Sequence, residues 1–196
     1  MHDYQPCNPI IGNHRHPSSY GMQNPEITFS TLNLKQGDVF LDAGCGLGDY
    51  ALTAAHIVGQ MGIVHAFDVE PYCIKDLSNR SASLGLSQLC ARTVDITLAL
   101  PLPDTSVTAA LLGTVLHIPS VRRSIKTLLT EMHRVLKPNG RLGVIECNWD
   151  APCGPPQSMR MSASRLSDRL AHCGFLPLTV KDFGNMYLAL FQPCQQ

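Results

Sequence analysis

No stretch of the 196 residues approaches the run of about 18 apolar residues that a membrane-crossing helix requires. That absence argues against a membrane-spanning reading. Excess charge of either sign is also missing, because 15 basic residues balance 15 acidic ones. A chain without net charge has no general electrostatic grip on nucleic acid or on an anionic bilayer. Aromatic residues make up only 6%, yet 44% of the chain is apolar, so a packed core is expected and wholesale disorder is not. No Cys-x-x-Cys pair occurs among the eight cysteines, and several of them fall inside expected helices and strands. A disulfide framework is therefore not expected, and buried thiols are the reading for most of them. The first residues are polar and carry no charged-then-apolar targeting pattern, so a cytoplasmic location is expected.

An alternation dominates what is there. Residues 1–23 read as an irregular segment punctuated by Pro6, Pro9, Gly12, Pro17 and Gly21, with 24–196 as one domain. Pro25 opens a short helix that ends near Leu34. Strands are expected at 39–42, 63–68, 90–94, 107–112 and 141–147. Helices at 47–58, 71–84 and 120–136 separate the first, second and fourth of these from the next strand. Pro138-Asn139-Gly140 is read as the break before the fifth strand. A further helix carrying Leu166, Leu170 and Cys173 precedes two strands, 175–180 and 186–191, joined too tightly for a helical crossover. The expected fold is thus α/β: a Rossmann-like open sheet of seven strands, mostly parallel, with an antiparallel C-terminal hairpin and helices on both faces.

In such a sheet, ligands bind beyond the C-terminal strand ends. Asp42-Ala43-Gly44-Cys45-Gly46-Leu47-Gly48 leaves the first strand and opens a helix. Glycine there permits a tight turn and close backbone approach to a ligand. A dinucleotide loop spaces its glycines Gly-x-Gly-x-x-Gly, which would need glycine where Asp49 stands. That departure disfavours a nicotinamide-dependent oxidoreductase. Acids at Asp42, Asp68 and Asp95 follow three successive strands. They would repel a phosphate and would favour a cationic adenosine cofactor, with Asp68 suited to ribose hydroxyls and Asp95 to the adenine amine. Taken singly, each acid reads equally well as a solvated turn residue.

The chain here resembles the class I S-adenosylmethionine-dependent methyltransferases. The resemblance rests on VFLDAGCGLGDY at 39–50, VHAFDVE at 64–70, LPLPDTSVTAALLGTVLHI at 100–118 and EMHRVLKPNGRLGVIE at 131–146. It covers about residues 35–192 and is similar to the ubiquinone and menaquinone biosynthesis subgroup. It implies a strand order of 3-2-1-4-5-7-6 and S-adenosyl-L-methionine as cofactor. It also implies roles: Asp42, Ala43, Gly44, Cys45, Gly46 and Gly48 at the methionine and ribose part, Asp68 on the ribose and Val69 against adenine. Asp95 and Ile96 would hold the adenine edge, and the backbone at Leu112 and Gly113 would line the methyl-donor end.

The acceptor side is less specified. His117, just past the fourth strand, is the candidate catalytic base; it reads equally as a loop histidine in a Leu-His-Ile segment. His14 and His16 suggest a lid, and two ligands are too few for a metal site, so no metal is expected. Cys147 and Cys153 suggest a soft metalloid acceptor such as arsenite as one alternative. A non-catalytic protein that binds the cofactor or its demethylated product is another. The Asn/Asp-Pro-Pro-Tyr signature of adenine amino-methyltransferases is absent after the fourth strand, where Leu112-Gly113-Thr114-Val115 stands. Pro152-Cys153 lies after the fifth strand rather than at the cytosine-enzyme position. The expected partner is a small-molecule substrate and not nucleic acid.

Overall fold

The computed structural model describes residues 18–194. The expected lid at His14 and His16 lies outside the described residues. Helix α1 spans Pro25–Leu32, with Asn24 accepting the Glu26 N–H as its N-cap and Pro25 at the first helical position. The alternation then runs β1 Val39–Ala43, α2 Asp49–Val58, β2 Ile63–Asp68, α3 Pro71–Ser83, β3 Leu89–Thr93 and β4 Val107–Gly113. It continues with α4 Pro119–Arg123, α5 Ile125–Val135, β5 Leu136–Cys147, α6 Ala163–Ala171, β6 Phe175–Asp182 and β7 Met186–Pro193.

The seven strands form one sheet in the order β3-β2-β1-β4-β5-β7-β6. β1 to β5 pair in parallel, and β7 runs antiparallel between β5 and β6. The two-residue period of a strand sends alternate side chains to opposite faces. Phe40 thus packs in a core with Phe29, Ala51, Ala55 and Leu77, beneath α1, α2 and α3. Its neighbour Leu41 packs in the opposite core with Leu128, Met132 and Leu166, beneath α5 and α6. Leu128, Leu129, Met132 and Val135 are all buried, each contributing roughly 2 kcal/mol by leaving water.

Three expectations are corrected. The single helix at 120–136 is two, because Ser124 leaves the helical region (φ −105°, ψ 17°) and shares its N–H between the Ser120 and Val121 carbonyls. Pro138-Asn139-Gly140 does not precede the fifth strand but bulges within it. Val107 pairs with Leu136 and Ala109 with Arg141, and a Cβ on Gly140 would stand 2.9 Å from the Lys137 carbonyl. Finally, residues expected to be irregular include a 3-10 turn, Ser19–Met22, capped by the Ser18 hydroxyl.

Candidate active site at the C-terminal rim

The parallel register aligns the strand ends. Asp42 lies beside Ala66 and Leu111, Asp68 beside Thr93, and Gly113 beside Ile145. The predicted residues therefore share one edge, and the glycine loop sits over its centre. The N–H groups of Gly44 and Cys45 both donate to the Phe67 carbonyl, at 2.7 and 2.9 Å. The Gly46 N–H donates to Asp68 Oδ2 at 2.8 Å. Arg80 of α3 donates to the Leu47 carbonyl at 2.8 Å and pairs with Asp49 at 3.1 Å. Asp49 opens α2, where a carboxylate complements the positive end of the helix.

The glycines serve different ends. All have positive φ: 80° at Gly44, 52° at Gly46 and 79° at Gly48. A Cβ on Gly44 would lie 2.5 Å from Val115 Cγ1, and one on Gly48 would lie 2.5 Å from Leu77 Cδ1. Both are therefore filled by the protein's own side chains. A Cβ on Gly46 would meet nothing within 4 Å. The space above Gly46 is not occupied by the described residues. Cys45 projects beside it, and burial together with Asp42 and Asp68 keeps its thiol neutral.

The acids differ in burial. Asp42, expected at the rim, is beneath it and only 1% exposed. Burial first, and then the Asp68 charge, push its carboxyl up to about 7. Its Oδ2 is buried with no hydrogen-bond partner. Asp68 is half-buried and accepts from Gly46 and, through Oδ1, from the Glu70 N–H at 3.0 Å. A carboxylate offers about four lone-pair positions, so capacity remains for further donors. Asp95 is exposed and folds into a turn, its Oδ1 accepting the Thr97 N–H and hydroxyl. Val69 is 58% exposed and Ile96 is buried against Gly44 and Val115.

The β4 side holds residues that sequence reasoning missed. The side chain of Leu112 is wholly in the core, so only its backbone reaches the rim. Gly113 lies beside Ser19 and Tyr50, each 3.6 Å from where its Cβ would be. The Tyr50 hydroxyl accepts from Gln23 at 2.6 Å and shares a bond with Ser19 at 3.2 Å. These contacts fasten the 3-10 turn against the rim. Thr114 takes φ 55°, a costly conformation for a β-branched residue that recurs at functional sites. His117 faces Glu146 of β5 across 3.5 Å. Beyond β5, Arg160 donates to the carbonyls of Asn148, Trp149, Ala151, Cys153 and Pro155, so one guanidinium shapes the whole loop. The hydrogen-bond pattern of Arg160 has no sequence signature, because its partners are backbone atoms.

Two cysteine expectations change. Cys153 is disulfide-bonded, against the expectation of free thiols, and so Cys147 and Cys153 do not offer the thiol pair that a metalloid reading needs. Among the described residues no group of three or more His, Cys, Asp or Glu is placed to hold a metal ion, and no helix is long and apolar enough to cross a membrane.

A family model described as a methyltransferase domain matches residues 34–174. The chain is 31% identical over 141 residues to a 2-phytyl-1,4-naphtoquinone methyltransferase of Synechococcus elongatus, covering 70% of this chain and 59% of that protein. It is 30% identical over 156 residues to a demethylmenaquinone methyltransferase of Oceanobacillus iheyensis, covering 79% of this chain and 61% of that one. The match thus spans about three-fifths of the length of these curated relatives. A crystal structure of a SAM-dependent methyltransferase from Aquifex aeolicus superposes with a TM-score of 0.81 at 26% identity, covering 91% of this chain and 94% of that one. The chain belongs to the methyltransferase domain family, and within it to the class I S-adenosylmethionine-dependent type.

Its cofactor is S-adenosylmethionine. The residues present fit that molecule. The space over Gly46 is left open by the described residues, Asp68 retains acceptor capacity beside it, and Asp42, buried beneath the rim, has an Oδ2 without a hydrogen-bond partner among those residues.

Proposed function

We propose that the chain transfers a methyl group from S-adenosylmethionine to a small, largely apolar ring compound bearing an ionisable hydroxyl, with reduced quinones as the first class to test. The observation that carries the methyl-transfer reading is the space over Gly46 that the described residues leave open, with the Asp68 carboxylate on the Gly46 N–H beside it. In this reading Asp42, Ala43, Gly44, Cys45, Gly46 and Gly48 line the methionine and ribose part of the cofactor. Asp68 accepts from the ribose hydroxyls, Val69 lies against the adenine, and Asp95 and Ile96 hold its edge. The backbone at Leu112 and Gly113 borders the methyl-bearing end.

The quinone class is supported by the names of the similar proteins and by apolar surface beyond β4 and β5, where Ile118 and Trp149 are exposed. A tie from Arg122 to the Ser158 carbonyl at 3.0 Å links α4 to the loop that follows β5. The balanced charge supports a small molecule rather than nucleic acid as partner. Six free thiols among the described residues support the cytoplasm as the working compartment, while the disulfide at Cys153 weighs the other way.

When bound, the cofactor supplies a methyl group on a sulfonium, whose S–C electron pair returns to sulfur as the acceptor's pair takes the methyl carbon. The protein's share is positioning, exclusion of water and removal of the acceptor's proton. His117 is the candidate for that last role.

Calorimetric titration of the chain with S-adenosylmethionine, S-adenosylhomocysteine and NAD tests the cofactor part; binding of NAD without the sulfonium compound would overturn it. Radiolabelled methyl incorporation into a reduced 1,4-naphthoquinone tests the acceptor class, and turnover of other phenols but not of this probe would move it.

A further inference from the structure

Glu146, near the end of β5 on this rim, has no part in the cofactor roles. Its carboxyl is 2% exposed, deeper than its position at the end of β5 requires. A buried carboxylate is costly unless a cation or several donors answer it. Among the described residues no Lys or Arg pairs with Glu146. Oε1 accepts the Leu116 N–H at 2.8 Å, and Oε2 faces His117 Nδ1 at 3.5 Å. The other titratable groups around it are engaged or neutral. The Tyr187 hydroxyl of β7 donates to the Met161 carbonyl, and burial followed by the Glu146 charge pushes its ionisation up. The Cys147 thiol is pushed up by burial as well. Arg160 is spent on five backbone carbonyls.

His117 mirrors this arrangement. Among the described residues its Nδ1 is buried with no hydrogen-bond partner, although the side chain is 22% exposed. The solvent-facing part of the ring is therefore the part away from Nδ1. The separation to Oε2 is roughly 0.5 Å beyond a good hydrogen bond, and such contacts tighten when a site closes on its ligands. A residue needed only to brace the Leu116 N–H would require one neutral acceptor. The second oxygen, aimed at a ring nitrogen, has no structural use of that kind.

We propose that Glu146 is a positioning residue that holds the proton of neutral His117 on Nδ1, leaving the Nε2 lone pair to take the proton lost by the methyl acceptor. The inference rests on the methyl-transfer reading above. As the acceptor hydroxyl gives its proton to Nε2, its electron pair is freed toward the methyl carbon. The imidazolium then formed faces the Glu146 carboxylate, which stabilises it without taking the proton.

The test is the tautomer of His117 in the full chain bound to S-adenosylhomocysteine, read by nitrogen-15 NMR above the imidazole titration. In wild type the Nδ1–H tautomer is expected; an Nε2–H tautomer would overturn the proposal. Glu146→Gln sharpens it. The Leu116 N–H fixes the amide oxygen, so the amide nitrogen must face Nδ1 and drive the ring proton to Nε2. An unchanged tautomer in this variant would equally overturn the proposal. Where reduced 1,4-naphthoquinone is turned over, Glu146→Gln should lose at least about 100-fold in kcat with the cofactor KM within about twofold. Unchanged kcat there also overturns the proposal, and Glu146→Gln in a His117→Gln background should cost nothing more. The tautomer needs neither the variant nor an acceptor, so it decides the proposal even where the variant does not fold. Loss of S-adenosylhomocysteine binding by wild type would instead fail the underlying reading.

Discussion

On the β1–β3 side of the rim, the residues proposed to hold the cofactor come from short consecutive stretches, 42–48, 68–69 and 95–96, each at or just past the end of its strand. On the β4–β5 side they are assembled at a distance: Glu146 meets the Leu116 N–H across 30 residues, and Ser19 meets Tyr50 across 31. The first side is backbone shaped by glycine and terminated by acids. The second is built by side chains that reach far along the chain, to backbone groups or to one another. A glycine loop survives sequence change wherever its φ angles survive, whereas the acceptor side depends on partners far along the chain. The cofactor side is therefore the half set by local backbone, and the acceptor side is the half that a few substitutions are expected to redirect.

The comparison can be broken most strongly on the acceptor side. Arg160→Leu removes a donor from each of five loop carbonyls and should cost on the order of 4 kcal/mol in urea unfolding, with turnover lost before cofactor affinity. Equal loss of both would show that the two sides are not separable. On the cofactor side, Gly48→Ala drives a Cβ into Leu77 and should cost about 3 kcal/mol of stability. Gly46→Ala has the same backbone hand but free space, so it should cost only about 1 kcal/mol of stability. It should nevertheless weaken S-adenosylmethionine binding at least about tenfold by taking the ligand's space, an effect calorimetry reads directly.

Asp68→Ala should lose roughly 2 kcal/mol of cofactor affinity, about 30-fold, by removing a charged acceptor. Unchanged affinity would show that the acid only braces the Gly46 N–H. The smallest effect concerns Asp42. Its carboxyl ionises near 4 when unfolded and at about 7 when folded. Stability is thus unaffected by this group below pH 4, falls as pH rises from 4 to 7, and is level above. Asp42→Asn removes that fall and should make the ligand-free protein more stable at pH 8 by about 1 kcal/mol or more, checked by thermal melts across pH. Conversely, a cation bound near Asp42 favours the carboxylate, so wild-type affinity for S-adenosylmethionine should rise with pH through about 7, and the variant should not show this.

The alternation of short apolar runs with 3.6-period helices made the fold legible, because each strand of a doubly covered sheet must be apolar and each crossover must be amphipathic. The hairpin was legible from the five residues, 181–185, between its expected strands. The split at Ser124 was not, since the apolar period runs through it and only the backbone records the break. Asp42, Gly44, Gly46, Gly48 and Asp68 could be read because their spacing is local. The burial of Asp42 could not, since it depends on what covers the strand end. Glu146 stood in plain view at the end of the fifth strand, yet an acid there has no meaning until the fold brings His117 beside it. Ser19 and Arg160 act through contacts that no spacing encodes.

One feature of the loop joins the two sides. A methyl group of Val115 fills the hollow where Gly44 has no side chain, and His117 follows two residues later. The glycine loop and the segment that carries His117 thus meet at one side chain. By reciprocity, whatever affinity the bound cofactor adds for the acceptor, the acceptor adds equally for the cofactor. Val115→Ala is expected to reduce that exchange, which calorimetry of each ligand in the presence of the other would read.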